Sequence, residues 1–134
     1  MKYIISLIIL CWYSNCKAQE VLFNDEEPDN SDLVIISETI KSDWNLITFT
    51  QKFDNEKVEV FVDQNSVYKG SVSTDPRFGS ARGVILDRKC DSILVVINNE
   101  KIQLKNSNEY RFIYIIKNDK KYTVEFRKKP YVFY

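Results

Sequence analysis

Apolar and polar side chains alternate with a period of two along much of the chain. The clearest case is residues 57–63, where three valines alternate with charged residues and one phenylalanine. Because successive side chains of a strand point to opposite faces, this pattern predicts a strand with one buried and one solvated face. The valines are Val58, Val60 and Val62. Phe61 departs from the pattern, since it lies on the side predicted to face outward.

Short segments rich in Asn and Asp separate several of the predicted strands. They lie at residues 63–66, 98–99 and 118–119. Asn and Asp tolerate the positive φ angles that two-residue hairpin turns require, so these segments predict hairpins. Residues 33–37 also fit helical spacing, but their consecutive β-branched side chains favour a strand.

About eight or nine such strands, with no long helix, predict an all-β domain. Residues 93–97 are apolar on both faces, which predicts a central strand buried on both sides. In residues 121–127, Tyr122, Val124 and Phe126 are predicted to face the core and the alternate residues to face outward. The predicted fold is a small antiparallel β-sandwich with an immunoglobulin-like or jelly-roll path. A partly closed barrel is the alternative.

The first eighteen residues have the layout of a secretory signal peptide. Lys2 is followed by an apolar run over residues 4–12, and small residues precede the predicted cleavage site after Ala18. The run is too short to anchor the chain across a bilayer. The predicted location is secreted or periplasmic in a bacterium. Alternatively, Cys16 is the lipid-attachment site of a lipoprotein on the outer face of a bacterial membrane.

Residues 19–31 are acidic, polar and interrupted by proline, which predicts a flexible linker ahead of a single domain over residues 32–134. The carboxylates of this segment suggest calcium binding, but they lack the spacing of an EF-hand loop. A spacer is therefore the preferred interpretation.

Cleavage after Ala18 leaves Cys90 as the only cysteine, so the domain has no internal disulfide and must be held by its core. We expect Cys90 to be a partly buried small residue at the start of a strand. The alternative is an intermolecular disulfide or a reactive thiol.

The formal net charge is zero at pH 7, which gives no indication of nucleic-acid binding. The charges are nevertheless uneven. Residues 20–63 carry twelve acidic side chains and three lysines, whereas residues 101–134 carry nine basic and three acidic side chains. Either the asymmetry orients the domain toward a charged partner, or the two regions pair within one sandwich.

The chain contains no histidine, which removes the usual general base and the commonest metal ligand. No cofactor or metal site is predicted, and we expect a protein that is not an enzyme. The remaining catalytic possibility is a small extracytoplasmic hydrolase that uses a carboxylate pair.

Residues 73–83 form the longest irregular stretch of the predicted domain and include Arg77, Phe78 and Arg82. The arginines would offer forked donors to a carboxylate or phosphate, and Phe78 would be an apolar anchor. The preferred interpretation is nevertheless a crossover between the two sheets, with Phe78 tucked under the loop and the arginines solvated. Trp44 and Phe61 are further candidates, because exposed aromatic rings on a sheet face stack on sugars or contact proteins.

Together these features predict an exported, non-enzymatic binding module whose partner is another envelope or secreted protein. A carbohydrate-binding module is the first alternative and a hydrolase the second. A glycan site predicts coplanar aromatic rings on one solvated face, whereas a protein site predicts a mixed patch.

Overall fold

The computed structural model describes residues 19–30, 45–77, 79–86, 92–105, 110–119 and 121–130. Nine strands lie within these ranges. In chain order they are β1 (Gln19–Asn24), β2 (Asn45–Phe49), β3 (Glu56–Val62), β4 (Asn65–Val72), β5 (Arg82–Leu86), β6 (Ser92–Ile97), β7 (Glu100–Lys105), β8 (Phe112–Asn118) and β9 (Lys121–Arg127).

The strands form two sheets, which confirms the predicted β-sandwich. The five-stranded sheet has the order β1-β9-β8-β2-β5, and the four-stranded sheet has the order β4-β3-β6-β7. Most of the described strand pairs are antiparallel, as predicted, and two are parallel: β1 with β9 and β2 with β8. The other described pairs are antiparallel.

The core lies between the inward faces of the two sheets and is built from β-branched and aromatic side chains. The predicted inward residues of β3 and β9 are all buried there. Burial of each large apolar side chain contributes about 1.5–3 kcal/mol to folding. The core side chains without accessible surface are Ile47, Phe49, Val60, Ile93, Val95, Ile97, Ile113, Ile115 and Val124.

The predicted hairpin turns are present and use positive φ angles. Asp63 and Gln64 have φ of 50° and 67°, and Asn98 and Asn99 have φ of 47° and 69°. Asp119, in the third turn, has φ of 42°. Asn and Asp are the non-glycine residues that adopt this region most readily, so the turn positions follow from the residue types.

Burial of the outer sheet faces differs from the prediction. On β6, which was predicted to be buried on both sides, Leu94 and Val96 are only partly buried. β8 is instead buried on both faces over its first four residues, and Phe112 and Tyr114 pack with Leu46 on the side of the sheet away from the main core. The outer face of the five-stranded sheet is thus inaccessible along β8, whereas Ile85 on the edge strand β5 is 48% exposed.

The same difference appears on β9, where the residues predicted to face solvent are mostly buried. Thr123, Glu125 and Arg127 lie on the outer face, yet each is at most 8% exposed. Arg127 Nη1 donates to Glu125 Oε1 at 3.1 Å. This ion pair offsets part of the free energy that each charge loses when it is removed from water.

Part of the predicted linker is a strand. Residues 19–24 form β1 and pair with β9 in register, and the ring of Phe23 stacks on Phe126 with centroids 5.1 Å apart. The Tyr110 hydroxyl then donates to Asp25 Oδ1 just after the strand. The linker prediction failed here because Val21, Leu22 and Phe23 are consecutive and show no alternation.

The uneven charges of the chain pair internally, as one of the two interpretations predicted. Lys128 Nζ lies 3.0 Å from Glu27 Oε1, and Lys129 Nζ lies 2.9 Å from Glu26 Oε1. These contacts join the basic end of the chain to the acidic segment after β1. Surface pairs of this kind each contribute at most about 1 kcal/mol, so they position the segment more than they stabilise the fold.

Several predictions concern residues outside the described ranges. These are the strand at residues 33–37, the signal peptide, Cys16 and Cys90. The described part of the chain holds no helix with the length and apolarity needed to cross a bilayer.

A buried ion pair closes one end of the sandwich. Glu56, at the start of β3, is 5% exposed and accepts a hydrogen bond from Lys117 Nζ at the end of β8. Glu56 Oε2 is buried without a partner among the described residues. Breaking a buried pair by removing one partner leaves an uncompensated charge, which costs more than the pair contributes when intact.

We expect Lys117→Met to lower the free energy of unfolding by about 2–4 kcal/mol, since it leaves Glu56 charged and buried. Glu56→Gln should cost less, because the Lys117 side chain is 25% exposed and can reach water. Urea denaturation measures both. Lys52→Met is the matched control, because its pair with Asp119 is exposed and should matter by less than about 1 kcal/mol. Equal effects of the two lysine substitutions would contradict the prediction.

Tyr122 supplies a pH dependence at the same end of the sandwich. Burial, followed by the negative charges of Glu100 and Glu56, raises the pKa of Tyr122 to about 12 from its ordinary value of 10.0. The unfolded chain therefore releases this proton at lower pH than the folded chain, so the contribution of Tyr122 to stability is complete below pH 10 and is lost as the pH rises toward 12. In Tyr122→Phe, urea denaturation across this range should show a shallower loss of stability. An unchanged slope would show that Tyr122 titrates normally.

Candidate functional site

The outer face of the four-stranded sheet is accessible to solvent, because its described side chains are exposed or only partly buried. Strand pairing sets its side chains in two rows across the sheet. One row contains Ser66, Phe61, Leu94 and Gln103. The next row contains Lys69, Glu59, Val96 and Lys101. The face thus combines an apolar centre with polar and charged edges.

The first row forms one side of an open groove of about 480 Å³, called here the Phe61 groove. Phe61 and Leu94 are direct neighbours on β3 and β6, and they supply its apolar surface. The complete lining is Phe61, Asp63, Gln64, Ser92, Leu94 and Gln103. Phe61 therefore faces outward, as its position in the strand predicted.

The polar side of the Phe61 groove is held in place by hydrogen bonds. Gln103 Nε2 donates to Ser92 Oγ at 2.8 Å and to the backbone oxygen of Ile93 at 3.2 Å. These bonds tie β7 to the beginning of β6 and fix the orientation of the amide. A fixed amide beside an apolar surface loses little conformational entropy when a ligand binds.

A β-bulge shapes the edge of the groove next to β4. The register shifts between Val60, which faces Tyr68, and Phe61, which faces Ser66, so Val67 is the extra residue. The small Ser66 side chain beside Phe61 leaves the ring open on this side. Bulges bend and twist the strand that carries them, which turns β4 away from the flat plane of the sheet.

A second groove of about 430 Å³ lies along the other half of the same face. Glu59 faces Lys69 across β3 and β4, and Val96 faces Lys101 across β6 and β7. This groove thus carries charges of both signs around the partly buried side chain of Val96. Its lining residues are Lys57, Val58, Glu59, Lys69, Gly70, Ser71, Val96 and Asn99.

Residues 73–83 connect β4 in one sheet to β5 in the other, so the predicted crossover between sheets is confirmed. The segment is a tight turn closed by its own backbone. Asp75 N donates to Ser80 O at 3.0 Å, and Gly79 N donates to Asp75 O at 2.9 Å. Gly79 has φ of 72°, which glycine adopts without steric cost.

Within this turn the Arg77 guanidinium is directed to a neighbouring carboxylate. Arg77 Nη2 and Nε donate to the two oxygens of Asp75 at 2.8 and 3.1 Å. The side-chain and backbone N–H groups of Arg77 hold the pKa of Asp75 below its ordinary value. The fork that was predicted to capture a ligand anion is thus already engaged inside the turn.

Arg82 is also engaged, at the side of the sandwich. Its guanidinium carbon lies 5.4 Å from the centroid of the Tyr68 ring. Tyr68 packs against the main core, on the opposite side of β4 from the Phe61 groove. The structure therefore does not place Arg82 and Phe61 on a common surface. Phe78, Trp44 and Cys16 lie outside the described residues, so their roles stay predictions.

The sequence analysis missed Leu94, Ser92 and Gln103, which complete the Phe61 groove. Two separate features of the sequence indicated this groove. The two-faced apolar pattern of β6 and the outward position of Phe61 both require an apolar outer face. These two features point to one common surface only once it is known that β3 and β6 are neighbours in the sheet.

Each groove is lined by a single carboxylate, Asp63 in the first and Glu59 in the second. In the part of the chain that the structure describes, no three acidic or cysteine side chains are grouped so that they could hold a metal ion.

Comparisons with protein-family models, with curated protein sequences and with solved structures gave no match to this chain. The functional assignment is therefore based on the geometry of the site.

Proposed function

We propose that this protein is a non-enzymatic binding module that acts outside the cytoplasm and contacts another envelope or secreted protein. The contact surface is the outer face of the four-stranded sheet, centred on Phe61 and Leu94. The observation that carries the proposal is the Phe61 groove, which sets an aromatic and an aliphatic side chain in an accessible groove with a fixed polar edge.

The distribution of polarity on this face resembles that of protein interfaces. Such interfaces have an apolar centre, often aromatic, and a polar rim that remains accessible to water. Here the apolar centre is Phe61 with Leu94, and the neighbouring row supplies Glu59, Lys69 and Lys101. Alternating charges at a rim favour one partner and one orientation over others.

A glycan-binding module is the second candidate. Gln64, Ser92 and Gln103 bring amide and hydroxyl groups to the Phe61 groove, and such groups suit the hydroxyls of a sugar. Phe61 is, however, the one aromatic side chain lining either groove in the described part of the chain. A flat platform of several rings is therefore not available there, which favours a protein partner.

Binding is also favoured over hydrolysis by the arrangement of carboxylates. Glycoside hydrolysis requires two carboxyl groups that flank one bond at a set separation. The described grooves each contribute one, and buried Glu56 is engaged by Lys117.

The proposal is tested by capture of partners from the envelope extract of the host, with purified protein as bait. Phe61→Thr/Leu94→Thr removes the apolar centre while keeping strand propensity. We expect this variant to retain the captured protein at least about 30-fold more weakly, which corresponds to a central hot spot of about 2 kcal/mol.

Two control variants locate the site. Ile85→Thr removes an exposed apolar side chain of the other sheet and should bind normally. Arg77→Ala/Arg82→Ala tests the turn at residues 73–83 and should also bind normally. Loss of binding only in the arginine variant would move the site to that turn. If no protein is captured and the groove variant alone loses retention on immobilised glycans, the glycan alternative replaces the proposal.

A further inference from the structure

The described strands leave four sheet edges, formed by β1, β5, β4 and β7. An edge strand presents backbone donors and acceptors that can pair with another chain. Natural proteins block such pairing with lysine or arginine side chains, with bulges, or with very short strands. The four edges can therefore be compared for these protective features.

Three of the edges carry protection. The β7 edge has Lys101 and Lys105, both exposed. The β4 edge has Lys69 and the bulge at Val67. The β5 edge has five residues and begins with the exposed Arg82.

The β1 edge carries none of these features, and its one charged side chain is Glu20, near the start of the strand. Its sequence, Gln-Glu-Val-Leu-Phe-Asn, contains no lysine, arginine or proline, and it pairs with β9 without a register shift. Three consecutive apolar side chains are exposed along it: Val21 by 45%, Leu22 by 43% and Phe23 by 56%. Unprotected and apolar, this edge has the properties of a strand that receives a partner strand.

We propose that β1 pairs antiparallel with β1 of a second copy of the chain. The two five-stranded sheets would then join into one continuous sheet across a two-fold axis. A two-fold contact places the same surface on both sides, so the strand must be complementary to itself.

The register follows from charge and side-chain polarity. With the axis at Leu22, Leu22 faces its own copy, Val21 faces Phe23, and Glu20 faces Asn24. Apolar side chains thus meet, and no like charges are opposed. With the axis at Phe23, by contrast, Glu20 would face Glu26 of the other copy.

The β7 edge shows why the same pairing is disfavoured elsewhere. An axis at Gln103 would set Lys101 directly against Lys105 of the second copy. Like charges directly opposite each other on paired strands are destabilising. Charge therefore discriminates between the two edges.

A pair of six-residue strands buries a small area, so the dimer should depend on concentration. It also leaves the outer face of the four-stranded sheet free on each copy. A dimer would therefore present two Phe61 grooves and could bind a repetitive partner with avidity. The dimer itself does not depend on the proposed function, since it uses a different strand.

The test is analytical ultracentrifugation of the purified protein from about 1 μM to 1 mM, a range that covers weak association. We expect a reversible monomer–dimer equilibrium. Leu22→Lys should raise the dissociation constant at least about tenfold by opposing two lysines. The matched control is Val67→Lys, because Val67 is also an edge-strand residue with 43% exposure and should leave the equilibrium unchanged.

Cross-linking tests the register and does not rely on a destabilising charge. Directly opposed residues of antiparallel strands have Cα atoms about 4.5–5.5 Å apart, within the range of a disulfide. Leu22→Cys, in a background with serine at Cys11, Cys16 and Cys90, should oxidise to a covalent dimer, whereas Val67→Cys should not. A wild-type protein that remains monomeric at about 1 mM, or equal cross-linking of both variants, would overturn the proposal.

Discussion

Burial of both faces of β8 and β9 within the five-stranded sheet is the constraint on which the rest of the structure depends. Its inner face packs in the main core, and its outer face carries Phe112, Tyr114 and the Glu125–Arg127 pair, all nearly inaccessible. The outer face of the four-stranded sheet, by contrast, keeps its described side chains exposed or only partly buried. The Phe61 groove lies on that face, where Phe61 and Leu94 are partly accessible.

The two ends of the described chain are joined by three kinds of contact that reinforce one another. The backbone of β1 pairs with β9, the ring of Phe23 stacks on Phe126, and the acidic residues after β1 reach Lys128 and Lys129. Each contact is modest alone, since the edge is exposed and the ion pairs are screened by salt. Together they hold an N-terminal strand that has few apolar neighbours of its own. This arrangement also accounts for the near-zero net charge with strongly uneven distribution.

Much of the fold could be predicted from the sequence because it follows from local rules. Alternation located β3 and β9, and Asn and Asp residues located the hairpin turns. The predictions that failed concern features that depend on contacts between residues far apart in the sequence. β1 is a strand because β9 lies beside it. The outer residues of β9 are buried where they lie beside the large outer side chains of β8. The candidate site was predicted only in part for the same reason. The outward position of Phe61 follows from the alternation along its own strand. Leu94 and Gln103 lie beside Phe61 only because β3, β6 and β7 pair with one another.

The parallel pairing of β1 with β9 also fixes an order of events during synthesis. β1 leaves the ribosome first, but the strand that holds it is made about 100 residues later, a delay of about 5–20 s at ordinary rates of translation. During this time β9 is absent and β1 has no strand to pair with, so the five-stranded sheet cannot be completed. β1 therefore has no described strand partner until residues 122–127 have been made.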